Sequence, residues 1–127
     1  MRVHGATDDD WTAGHTPANA DTLATCTKAA VSRRRNVCTG ITVTLAAGAS
    51  APTAVNVAAY LVDGATTVTT YLWQSRLSLP AVAGATTGIT HLPCWIVGST
   101  GTAMTLEFSV KAGAQTYESV SMEGTVL

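Results

Sequence analysis

Residues 102–111 read Thr-Ala-Met-Thr-Leu-Glu-Phe-Ser-Val-Lys. From Met104 onward apolar and polar residues alternate. Met104, Leu106, Phe108 and Val110 fall on one side, and Thr105, Glu107, Ser109 and Lys111 on the other. Successive side chains of an extended chain point to opposite faces, so the pattern predicts a strand with one face on a core and one in water. The segment 115–127 repeats it, with Val120, Met122 and Val126 inward and Ser119, Ser121 and Glu123 outward. Between them Ala112-Gly113-Ala114 predicts a three-residue hairpin loop, placing Leu106 opposite Val120 and Met104 opposite Met122.

The same period extends upstream. Residues 36–46 place Ile41, Val43 and Leu45 on one face and Thr42 and Thr44 on the other. Residues 53–62 and 66–75 flank Asp63-Gly64, a pair that supplies the positive φ angles of a tight hairpin turn. That turn predicts Leu61 opposite Thr66, Ala59 opposite Val68, Val57 opposite Thr70 and Val55 opposite Leu72. It leaves Asn56, Tyr60, Tyr71 and Trp73 on the outer face as an aromatic patch, the mark of an interface. Residues 22–30 predict a first strand, and residues 79–88, with Pro80 and Gly84, a long loop. Residues 89–97 predict a strand that Pro93 confines to a sheet edge or a bulge, since proline donates no ladder hydrogen bond. Seven or eight strands at this spacing predict an all-β antiparallel sandwich, and the long loop around Pro80 favours a jelly-roll-like crossing between sheets.

Residues 1–22 stand apart. They hold Asp8, Asp9, Asp10 and scarcely an aliphatic side chain, too little apolar surface to fold alone. They predict an extended N-terminal arm ahead of a sandwich domain over 23–127, with Trp11 docking on a neighbouring subunit. Deleting such an arm should weaken assembly and leave the sandwich folded.

The 127 residues fit one domain. Charged residues are 12% of the chain, about half the roughly 25% usual in soluble domains, which implies a surface partly covered by partners. The net charge of −1 argues against a nucleic-acid binder, which needs a basic face. The basic cluster Arg33, Arg34 and Arg35 reads as a solvated strand start or a contact with an acidic patch on a partner. No apolar run is long enough to span a bilayer. The polar, acidic start predicts a chain made in the cytoplasm.

Chemistry-bearing groups are sparse. His91 and Cys94 form the one candidate nucleophile–base pair. Asp8, Asp9 and Asp10 with His4 or His15 offer metal ligands, but not at the spacing of a calcium loop. Cys26, Cys38 and Cys94 are three cysteines at irregular spacing, neither a disulfide framework nor a zinc pattern, and read as buried small hydrophobes. No Gly-rich phosphate loop or nucleophile elbow occurs. The reading is a binding protein, not an enzyme, with no cofactor and no metal.

Four stretches carry a resemblance: Ala24-Thr-Cys-Thr-Lys-Ala-Ala-Val31, Arg33-Arg-Arg-Asn-Val-Cys-Thr-Gly-Ile41, Tyr60-Leu-Val-Asp-Gly64 and Ser121-Met-Glu-Gly-Thr-Val-Leu127. With a strand ending in Trp73 and a proline loop, they resemble the capsid decoration (cement) proteins of tailed bacteriophages and related small virion proteins. The resemblance implies a jelly roll on the outer surface of an icosahedral head. Its partners would be the major capsid protein and copies of itself, as a dimer or trimer at a symmetry axis. Trp11, Arg33, Arg34, Arg35, Tyr60, Tyr71, Trp73 and Trp95 are the candidate contacts. The alternatives are a tail, fibre or adsorption module and a carbohydrate-binding β-sandwich.

Overall fold

The computed structural model describes residues 9–64 and 71–127, and all their regular structure is β. In chain order the strands are β1 (Trp11–His15), β2 (Thr25–Lys28), β3 (Asn36–Ala47), β4 (Val55–Asp63), β5 (Tyr71–Leu79), β6 (Thr86–Val97), β7 (Met104–Phe108) and β8 (Thr116–Val126). They form two four-stranded antiparallel sheets, ordered β1-β8-β3-β6 and β2-β7-β4-β5.

The pairing is nested: β1 with β8, β2 with β7, β3 with β6, and β4 with β5. The chain is thus one long antiparallel hairpin, doubled back between β4 and β5 and rolled up. Extra ladders from β3 to β8 and from β4 to β7 complete the sheets. This is the jelly roll that the strand spacing favours.

The core lies between the sheets. Ile41, Val43, Leu45, Val120 and Met122 meet Ala59, Leu61, Leu77, Met104, Leu106 and Phe108 there. The inward sets read from the sequence of β3, β7 and β8 are the ones buried, except Val110, which lies beyond β7 and is exposed. Thr105 and Glu107 lie on the outer side of β7 yet are buried. Thr105 shares a 2.9 Å hydroxyl contact with Thr27 and donates to the Gly64 carbonyl, and Glu107 accepts from the Thr25 hydroxyl.

Three expectations are corrected. First, β7 and β8 do not form a hairpin. Leu106 pairs with Cys26 and Leu61, and Val120 pairs with Val43 and His15, so residues 109–115 carry the chain from one sheet to the other. Alternation marks the core face of each strand, but it reads the same whether two strands are side by side or face to face.

Second, Asp63-Gly64 is not a two-residue hairpin loop. Val55 faces Leu79, Val57 faces Leu77, Ala59 faces Ser75 and Leu61 faces Trp73. The expected partners Thr66, Val68 and Thr70 lie outside the described residues. This register differs from the expected one by an odd number of residues, which exchanges the faces of β5.

Third, the N-terminal region is not an arm throughout. Residues 11–15 are a strand of the sandwich, with Trp11 opposite Gly124 and His15 opposite Val120. Two short strands close that side. β1 and β2 end their respective sheets, and the backbone N–H of Thr25 donates to His15 Nδ1 at 3.2 Å.

Pro93 lies on β6, an edge strand, as its missing N–H requires. Two register shifts mark β6 against β3: Cys38 faces Ile96 while Gly40 faces Pro93, and Ile41 faces Leu92 while Val43 faces Ile89. Each inserts one extra residue into β6, bending the edge strand.

Candidate interaction surface

The outer face of the β1-β8-β3-β6 sheet carries a row of small hydroxyl side chains. Thr42 lies opposite Ser121, Thr44 opposite Ser119, and Thr12 opposite Glu123. Gly40 interrupts this row. A Cβ there would lie 2.6 Å from Glu123 Oε1 and 2.8 Å from His91 Cε1, so only glycine lets both side chains lean over the strand. His91 Nε2 and Glu123 Oε1 stand 3.9 Å apart, both about half exposed. With Thr12, Thr42 and Ser121 they line an open polar depression of about 250 Å³. A pair so wetted contributes little to stability, but it offers donors and acceptors to a partner.

Trp95 lies on the outer side of β6, beyond the inward Cys94 and Ile96, and is 61% exposed. An indole this exposed contributes little to the core. Its apolar area is available for contact, in the manner of interface anchors.

The second sheet carries a smaller aromatic feature. The rings of Tyr60 and Tyr71 are 4.9 Å apart and tilted by 50°, and Tyr71 is 53% exposed. Burial raises the Tyr60 hydroxyl pKa, and the neighbouring Glu107 and Tyr71 add to the rise. Trp73 does not join them. It pairs with Leu61 and packs on the core. A bulge, in which Tyr71 faces Val62 while Trp73 faces Leu61, sends Tyr71 outward and Trp73 inward. Asn56 on this face accepts from Arg76 at 3.0 Å.

The remaining candidates have intramolecular roles. Trp11 packs on the core, and its Nε1 donates to the Thr125 carbonyl at 2.9 Å. It docks on its own β8. Gly124 makes the room, since a Cβ there would collide with the Trp11 ring and the Val37 carbonyl. Arg34 pairs with Asp9 at 3.0 Å and donates to the Val126 and Leu127 carbonyls. Arg35 Nε donates to Thr100 Oγ1 at 3.1 Å. Arg33 is exposed at a turn, with φ of 62°. The cluster is therefore a splice between chain segments, with Arg33 and Arg35 both exposed to solvent.

His91 and Cys94 do not form a nucleophile–base pair. His91 lies on the outer face, whereas the Cys94 thiol turns inward onto Cys38. Among the described residues no three His, Cys, Asp or Glu side chains converge as a metal site. Asp8 and His4 lie outside them. No described helix is long and apolar enough to cross a membrane.

One buried group escaped the sequence reading. Glu118 is 1% exposed. Its Oε1 accepts from the backbone N–H of Ala24 at 2.9 Å, holding the approach to β2 against β8. Its other oxygen has no hydrogen-bond partner. Burial pushes the carboxyl up to about 7, against the backbone N–H groups of Ala24 and Ala112, and the charge of Asp21 adds to the rise. The signal was its position: Glu118 shares parity with Val120, Met122 and Val126, and so falls on the core side.

No protein-family model and no curated protein matches this chain.

Proposed function

We propose that the chain is a virion structural protein that decorates the outer surface of a tailed-bacteriophage head, bridging capsomers and binding copies of itself. The observation that carries this reading is Trp95, a largely exposed indole on a hydroxyl-rich and weakly charged sheet face. Such a face can bury apolar area against a shell without leaving charges unpaired. The resemblance of residues 28–127 to decoration proteins points to the same partner, the major capsid protein. The exposed Tyr71, tilted against Tyr60, is the contact assigned to self-association. A symmetric oligomer would multiply weak contacts with the shell and resist the outward pressure of packaged DNA.

The test is sedimentation of the protein with purified expanded heads of the phage that encodes it. The wild type should co-sediment, and Trp95→Ala should lose most of its occupancy while its circular dichroism and Tm stay unchanged. Absence of wild-type binding would overturn the reading, and full occupancy by Trp95→Ala would overturn the assignment of the face. A carbohydrate-binding module is the second reading, favoured by the His91–Glu123 depression with its hydroxyl lining. Glycan-array binding that is lost on His91→Ala would select it.

A further inference from the structure

We infer that Cys38 and Cys94 are a cross-linking site, at which oxidation joins edge strand β6 to β3 through a disulfide. The two sulfurs are 3.9 Å apart, the Cys94 thiol donates to the Cys38 carbonyl at 3.4 Å, and the Cys38 thiol donates to the Gly40 carbonyl at 3.4 Å. All three cysteines are free thiols. The approach falls at a bulge in β6, where three steps from Ile96 to Pro93 match two steps from Cys38 to Gly40. Cys94 lies two residues from Ile96, the ladder partner of Cys38, and so faces inward diagonally across from Cys38.

A disulfide requires the sulfurs to close by about 2 Å. Strand β6 is an edge strand, already bent, and can make that movement with fewer neighbours to displace than an inner strand. The two thiols differ in access, which sets the order of events. Cys38 is fully buried, whereas Cys94 is partly exposed and can meet an oxidant.

With glutathione disulfide as oxidant, the Cys94 thiolate attacks one of its sulfurs. A mixed disulfide forms, and one glutathione thiolate leaves. Cys38, having lost its proton to solvent base, then attacks Cys94 Sγ and expels the second glutathione thiolate. The protein loses two electrons and two protons, and the oxidant is reduced to two thiols. Burial raises both thiols, Cys38 to about 12, so the reaction is slow at neutral pH and speeds up as pH rises. The cross-link needs only an oxidising medium, as outside a reducing cytoplasm, whichever role the fold serves.

The experiment incubates the native full-length protein with glutathione disulfide at mildly alkaline pH, followed by intact-mass and non-reducing peptide analysis. The expected product has lost two hydrogens, joins the Cys38 and Cys94 peptides, retains the Cys26 thiol and melts several degrees higher than the reduced form. The Cys94→Ser protein, treated alike, should form no intramolecular bond. Three titratable thiols after exhaustive oxidation would overturn the inference. So would a bond that uses Cys26, or one that joins separate chains.

Discussion

Glu118 gives the sharpest test of the packing described above. Its carboxyl is lifted from an ordinary 4.5 to about 7 because burial penalises the charge more than two backbone donors repay it. A lift of that size corresponds to roughly 3 kcal/mol between the two protonation states. The folded chain holds this proton more tightly than the unfolded chain. The contribution of Glu118 to stability is therefore full below about pH 4.5, falls as pH rises, and is lost above about pH 7. Glu118→Gln keeps an acceptor for the Ala24 N–H and cannot ionise. Urea unfolding of both proteins across this range isolates the carboxyl, because every other titrating group cancels in the difference. The difference should move in favour of the glutamine variant by about 3 kcal/mol between pH 4.5 and pH 8. A difference that stays constant, or moves in favour of the wild type as pH rises, would refute the reasoning that burial dominates this site.

Further outcomes follow from β1. Deleting residues 1–10 should leave the sandwich folded, whereas deleting residues 1–22 should unfold it by stripping β1 from β8, where the sequence alone predicts a sandwich that stays folded; proteolysis rates distinguish the two. Trp11→Ala should cost about 3 kcal/mol in urea unfolding. Gly124→Ala should be at least as damaging, because the new methyl group displaces both the indole and the ladder; a near-normal midpoint would refute that.

The core faces were legible in the sequence because a strand's period of two is strict. Ile41, Val43 and Leu45 could point only one way relative to Thr42 and Thr44. Which strands lie side by side was not legible, since alternation is local and sheet order is set by packing. The alternation alone thus predicts Leu106 and Val120 as hairpin partners, whereas they lie in opposite sheets of one core. The bulges erased more. One extra residue at Leu72 was enough to part Tyr71 from Trp73. Trp11, in a polar stretch with no aliphatic neighbours, carried no local sign of its strand, and its partner Gly124 lies at the far end of the chain. Of the candidate contacts, Trp95 and Tyr71 are exposed, and Trp11, Arg34 and Arg35 serve the fold.

The nested pairing has a kinetic consequence. Bringing β1 directly to β8 closes a loop of nearly the whole chain. Once β4 has met β5, however, each next pair closes only a short loop. The roll should therefore assemble from its middle outward, with β1–β8 last to form and first to open. Native-state hydrogen exchange should find the amides of β1 among the fastest to exchange and those of β4 and β7 among the slowest. Arg34, gripping both Asp9 and the carbonyls of the last two residues, then acts as a clasp on the outermost turn: it governs how often the roll begins to unwind.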